Sequence, residues 1–132
     1  MPLGDDLIRH WFDTYLDTFS ACVRGEVEMA KLVRCYGIPL IITTDDGLTK
    51  LMTDDEATAV MQGLVDGLRA NGYHHTEVLQ SEILVLNSFS SLYRGTMSRR
   101  TADGAEIDCP TIAYLIVGEV GGPRIAVLAS QQ

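Results

Sequence analysis

The sequence predicts an α+β domain in which helices dominate the first half and an antiparallel sheet the second. Three observations predict it. Apolar residues recur every three or four positions in most of the first 70 residues, and the pattern turns extended and β-branched after Tyr73. The extended stretches are joined by connections of a few residues, which suit antiparallel neighbours and leave no room for crossover helices.

The first element is a long amphipathic helix from Asp5 to Val23, with Ile8, Trp11, Phe12, Tyr15, Leu16, Phe19 and Cys22 on its apolar side. Gly25 interrupts it, and Val27 to Val33 predicts a second, short helix that ends before Tyr36-Gly37. Ile38 to Thr44 reads as a strand, placed at a sheet edge by Pro39, which lacks the N–H a central strand donates. Asp45-Asp46-Gly47 supplies a tight turn, from which Leu48 to Met52 returns. Thr53-Asp54-Asp55-Glu56 spells a capping box, where hydroxyl and carboxylate each satisfy a backbone donor at a helix start. Ala57, Val60, Met61, Leu64, Val65 and Leu68 form the buried stripe of this third helix, and Asn71-Gly72 ends it. Four β-rich stretches complete the chain, near Thr76 to Asn87, Phe89 to Ala102, Cys109 to Val120 and Arg124 to Ser130.

The 132 residues fit one domain, 1–132, and 46% hydrophobic with 21% charged residues is ordinary globular composition. A net charge of −8 repels phosphate backbones and anionic lipid surfaces, so nucleic acid and membrane are not expected partners. The acidic N-terminus lacks the basic flank of a secretory signal and no apolar run approaches the ~20 residues of a bilayer span, so a cytoplasmic location is expected. Cys22, Cys35 and Cys109 are odd in number and lack C-x-x-C spacing, which predicts free thiols.

The helix Trp11 to Phe19, the break Cys35-Tyr36-Gly37-Ile38-Pro39, the hairpin Met97 to Gly104, and the ending Ala113 to Val117 with Gly122 to Ala126 together resemble the SnoaL-like branch of the nuclear-transport-factor-two-like cone folds. The resemblance covers nearly the whole chain. It implies three N-terminal helices on the concave face of a bent, mainly antiparallel sheet, a cystatin-like α+β barrel. Members commonly close the last hairpin with Gly-Trp-Arg-Ile, whereas this chain has Pro123 at the tryptophan position. Isomerases, polyketide cyclases, hydrolases and purely binding or assembling proteins share this fold, so the site must decide the function.

In Thr111 to Val117 and Ile125 to Ala129 both alternating sets of side chains are apolar, so neither strand has a solvent face. The helices cover one face only. A homodimer through the convex face is therefore expected.

A pocket in such a cone lies between the first and third helices and the sheet. Trp11, Tyr15, Phe19, Tyr36, Met61, Tyr93, Met97 and Tyr114 are its candidate lining, with ordinary core packing as the alternative for each. Tyr15 falls where ketosteroid-isomerase members carry an oxyanion-stabilising tyrosine, which implies an electrophilic role for its phenol. The carboxylates of that site are not matched: Ile41-Ile42-Thr43-Thr44 occupies the base position, with Asp45 the nearest acid, and Ala113 and Tyr114 occupy the other. Glu82 and Asp108 are further acid-base candidates, against a solvated strand face for Glu82 and a turn or edge at a strand beginning for Asp108. Adjacent in a strand, His74 and His75 are expected to point to opposite faces, and no metal or other cofactor is expected. Arg99 shares a face with Tyr93 and Met97, and Arg94 and Arg100 take the other; Arg99 is thus a candidate for a ligand carboxylate at the pocket mouth.

These readings lead to a small-molecule-binding domain with an apolar or aromatic ligand and Tyr15 as polar anchor. Two alternatives stand beside it: an acid-base enzyme using Tyr15 with Asp45, Glu82 or Asp108, and an interaction module whose cone is filled by its own side chains.

Overall fold

The computed structural model describes residues 4–131. Helix α1 (Asp5–Val23) buries Ile8, Phe12, Tyr15, Phe19, Cys22 and Val23 along one side, and Asp5 and Asp6 occupy its first turn, where the helix dipole favours negative charge. Helix α2 (Met29–Val33) has five residues and buries Leu32 and Val33. Helix α3 (Asp54–Ala70) buries Ala57, Met61, Val65 and Leu68. At its start the Glu56 N–H donates to Thr53 Oγ1 at 3.1 Å, while the Glu56 carboxylate accepts the N–H of Met52 at 2.8 Å. The box thus closes on the residue before the cap. Gly72, at φ +78°, turns the chain out of the helix through a conformation that disfavours any Cβ.

Seven strands follow or intervene: β1 (Tyr36–Thr44), β2 (Gly47–Leu51), β3 (Tyr73–Asn87), β4 (Ser90–Thr101), β5 (Glu106–Asp108), β6 (Thr111–Glu119) and β7 (Gly122–Gln131). They form one sheet in the order β2-β1-β7-β6-β4-β3, with β5 paired to β4. All neighbours are antiparallel except β1 and β7, which run parallel and tie the first hairpin to the C-terminal strand. The fold is thus α+β, with three helices on the concave face of a mainly antiparallel sheet.

The cross-strand register separates two apolar rows. On the helix side lie Ile83, Tyr93, Tyr114, Leu128 and Ile42, paired in turn from β3 through β4, β6 and β7 to β1. All five belong to the core or pack against it. One residue along, on the opposite face, Leu84, Leu92, Leu115, Val127 and Ile41 pair across the same five strands. Leu84 is 59% exposed, and the other four are half-buried. Gly95 lies between Tyr93 and Met97 on the core side; a Cβ there would stand 2.8 Å from Met97 Cε and 3.1 Å from a Tyr93 ring carbon, so glycine lets the two side chains close over the strand without either shifting.

Three local expectations change. β1 is an interior strand, not an edge. Pro39 fits because the β2 register begins at Leu40 and the pairing with β7 is irregular between Tyr36 and Ile41, so neither neighbour calls for its N–H. Asp108 does not begin a strand: it ends the three-residue β5, too short to carry a periodic signal, and β6 starts after Cys109-Pro110. His74 and His75 do not diverge. A register shift between Tyr73 and His75 relaxes the alternation, and the two Nδ1 atoms lie 3.0 Å apart with the rings edge to face.

Candidate functional site

A partly open cavity of about 340 Å³ lies between α1, α3 and the concave face of the sheet. Helix α1 contributes Tyr15, Leu16 and Phe19 at one-turn spacing, α3 adds Met61 and Leu64, and Tyr36 enters from the start of β1. Alternate residues of three strands complete the wall: Met97 and Arg99 on β4, Ile112 and Tyr114 on β6, Leu128 and Ser130 on β7. Thr76, Asp108 and Pro110 also border the space.

Three phenols and an arginine are the main polar groups bordering this cavity. The hydroxyls of Tyr15 and Tyr36 are 2.6 Å apart and buried, with the rings edge to face at 5.8 Å. Tyr114 stands edge-on to Tyr15 at a centroid distance of 6.0 Å. Burial holds the pKa of all three phenols well above the ordinary tyrosine value, and the neighbouring phenols raise those of Tyr15 and Tyr114 further. The positive charge of Arg99 acts against the burial, too weakly to reverse it. These tyrosines are protonated hydrogen-bond donors at neutral pH. The single bond between Tyr15 and Tyr36 uses one of their two hydroxyl hydrogens, which leaves the other to donate outward.

Arg99 is held by the sheet. It is the cross-strand partner of Thr76 on one side and Asp108 on the other. Its side chain is 15% exposed, and Nη1 lies 3.6 Å from Asp108 Oδ2, an ion pair longer than a hydrogen bond. The Asp108 side chain is 47% exposed and sits at the mouth of the cavity.

Of the residues singled out in the sequence, Tyr15, Phe19, Tyr36, Met61, Met97, Arg99, Tyr114 and Asp108 are brought together on this cavity. Trp11 and Tyr93 are not on it. Trp11 is half-buried and stacked on the outer side of Tyr15 at 5.9 Å, and Tyr93 is stacked on Phe12 at 3.7 Å within the core. Asp45 lies exposed in the β1–β2 turn. Glu82 lies on the opposite sheet face, paired with Arg94 at 3.2 Å. Sequence reasoning missed Leu16, Leu64, Thr76, Pro110, Ile112, Leu128 and Ser130. Ile112 follows from Tyr114 by strand alternation and Leu64 from Met61 by helical spacing, but Leu128 and Ser130 needed the β6–β7 register, which pairs them with Tyr114 and Ile112. Among the described residues no three His, Cys, Asp or Glu side chains converge as a metal site. No helix among them is long and apolar enough to cross a membrane.

The model of a family described as NTF2-like protein (DUF6841) matches residues 5–132. The chain belongs to this NTF2-like family. A protein of unknown function with a cystatin-like fold from Nostoc punctiforme is similar over 98% of this chain and 93% of its own, with 11% identity and a TM-score of 0.75. A second such domain from Nostoc punctiforme has 18% identity over 96% of this chain and 75% of its own, with a TM-score of 0.66. A putative calcium/calmodulin-dependent protein kinase II association domain from Xanthomonas campestris matches at 11% identity over 96% and 86%, with a TM-score of 0.68. At these identities the likeness is one of fold. The search of curated proteins finds no match. In this NTF2-like chain Pro123 lies in the β6–β7 hairpin, paired with Gly118, and is not among the residues lining the cavity.

Proposed function

We propose that this NTF2-like domain is a small-molecule-binding protein whose cone takes an apolar or aromatic ligand. The observation that carries the reading is the open cavity of about 340 Å³, within the size range of small-molecule sites, with apolar walls and a few convergent polar groups. A cone filled by its own side chains would leave no such space. An acid-base enzyme would call for a carboxyl held in the apolar interior, yet the one acid bordering this cavity among the described residues, Asp108, is half exposed and paired with Arg99. Tyr15, with its hydroxyl tied to Tyr36, is suited to donate to a ligand rather than to take a proton.

The test uses indole, a neutral probe. In isothermal titration one molecule binds per chain, and Leu64→Trp, which projects a large ring into the space, abolishes the binding while the circular dichroism spectrum is unchanged. Absence of any binding up to millimolar indole rejects the reading.

We further propose that the domain is a homodimer through the convex sheet face. The row Leu84, Leu92, Leu115, Val127 and Ile41 is aliphatic across five strands and has no helix over it. A second copy offers the same row, and the flanking Glu82–Arg94 pair would meet its own complement in a two-fold arrangement. The printed description of the Xanthomonas campestris neighbour, an association domain, is in line with assembly by this fold. Light scattering at micromolar concentration gives twice the chain mass, and Leu115→Asp returns it to one; a single-chain mass for the unaltered protein removes the proposal.

A further inference from the structure

We infer that the cavity selects ligands carrying a carboxylate, and that Arg99 rather than Tyr15 is the main anchor, with the ligand carboxylate displacing Asp108 from the guanidinium. This rests on the ligand-binding reading above and specifies its chemistry.

The strongest donors bordering the cavity belong to Arg99. A guanidinium has five N–H groups in a planar fork that matches a carboxylate edge. Among the described residues this one makes no hydrogen bond, and its ion pair with Asp108 is 3.6 Å long. Its nitrogens are not sealed off, because no buried side-chain nitrogen or oxygen among the described residues lacks a partner. Arg99 lines the cavity, with its side chain only 15% exposed to solvent. A charge withdrawn this far from water gains most from a short, two-pronged partner, and Asp108 at this distance does not supply it. Asp108 reaches Arg99 from the end of a three-residue strand, and its own side chain is half in solvent, so releasing it to water costs little.

The neighbouring groups have the same preference. Tyr15 and Tyr36 keep their protons, and their mutual bond uses only one of the two hydroxyl hydrogens, so the pair has a donor to offer in the cavity that Arg99 also lines. A neutral carbonyl can accept from one such donor, whereas a carboxylate can accept from the fork and the phenol together. Opposite them, Leu64, Met61 and Phe19 offer only apolar surface. At roughly 30 Å³ for each water-sized group, the volume suits a body of about ten heavy atoms. The chain as a whole carries −8, so long-range attraction does not select an anion here; the selection is made by contact.

The experiment compares 3-phenylpropionate with 3-phenylpropionamide, which differ in charge and hardly in shape, by isothermal titration on the full chain. The acid is expected to bind about tenfold or more tighter than the amide, the discrimination one charge-assisted pair carries. Arg99→Gln removes that ratio and leaves amide binding in place, which also shows that the variant is folded. Asp108→Asn, which takes away the competing carboxylate, tightens the acid several-fold and does not change the amide. Equal affinity of acid and amide, or weaker binding of the acid to Asp108→Asn, overturns the inference while the ligand-binding reading stands. Failure of both probes to bind overturns the two together.

Discussion

The two faces of one sheet carry the same number of large apolar residues across the same five strands, and they differ in what accompanies them. The concave row Ile83, Tyr93, Tyr114, Leu128, Ile42 lies under helices and beside three phenols and an arginine. The convex row Leu84, Leu92, Leu115, Val127, Ile41 has aliphatic side chains only. Polar groups in the interior are costly unless each finds a partner, and the concave face meets that cost by pairing hydroxyl with hydroxyl. The convex face avoids it by holding no polar group in its central row. One face thus encloses a cavity bordered by polar groups, and the other presents a continuous aliphatic row.

The sharpest way to break this contrast is to truncate each side and compare. Phe12→Ala, at a fully buried ring stacked on Tyr93, is expected to cost about 3–5 kcal/mol in urea unfolding. A loss below ~1 kcal/mol would mean that the helix-to-sheet core is not where the stability lies. Tyr15→Phe leaves the Tyr36 hydroxyl short of its buried partner, so a loss of about 1–3 kcal/mol is expected by the same measurement. No loss would show that water replaces the hydroxyl and that the phenol cluster is wetter than described. At the small end, Leu84→Ala on the convex face should change the stability of the single chain by no more than about 0.5 kcal/mol, because the side chain is 59% exposed. A larger cost that grows with protein concentration would instead register a partner on that face.

Alkali probes the buried phenols of the concave face. Tyr15, Tyr36 and Tyr114 have folded pKa values raised by burial above the ordinary 10.0, so above that pH the unfolded chain releases protons that the folded chain retains. Their contribution to stability is intact below pH 10 and is lost progressively as pH climbs through the folded values. Unfolding free energy should therefore fall from about pH 10 upward, and absorbance at 295 nm should reveal tyrosines that ionise only on unfolding. Full tyrosine ionisation near pH 10 in the folded protein would contradict the burial of the cluster.

Much of this was legible in the residues. The spacing of Ile8, Phe12, Tyr15 and Phe19 gives a helix face without reference to the rest of the chain, and Thr53 with Glu56 marks the start of α3 through bonds spanning four residues. Six candidates, Tyr15, Phe19, Met61, Met97, Arg99 and Tyr114, fell on one cavity because those helix faces and the alternation along β4 and β6 already grouped them, and Tyr36 and Asp108 joined them through β1 and β5. Where the sequence misled, the deciding bond was distant. Pro39 looks like an edge residue until β7 pairs with β1 from more than 80 residues away. The divergence expected of His74 and His75 failed at a register shift against β4, which nothing near them signals.

By itself, then, the sequence determined the helices, their caps, the onset of the sheet and the acidic charge, because each depends on contacts within a turn or two of the chain. Only the tertiary structure decided which face of the sheet became the inside. In β6 and β7 both alternating sets are apolar, so a period of two has no preference between them. The preference comes from α1, whose Phe12 and Tyr15 pack edge-on against Tyr114, the cross-strand partner of Leu128, and leave Leu115 and Val127 outward. The same packing carried Arg99 into the cavity beside the three tyrosines, a neighbourhood that joins α1, β1, β4 and β6.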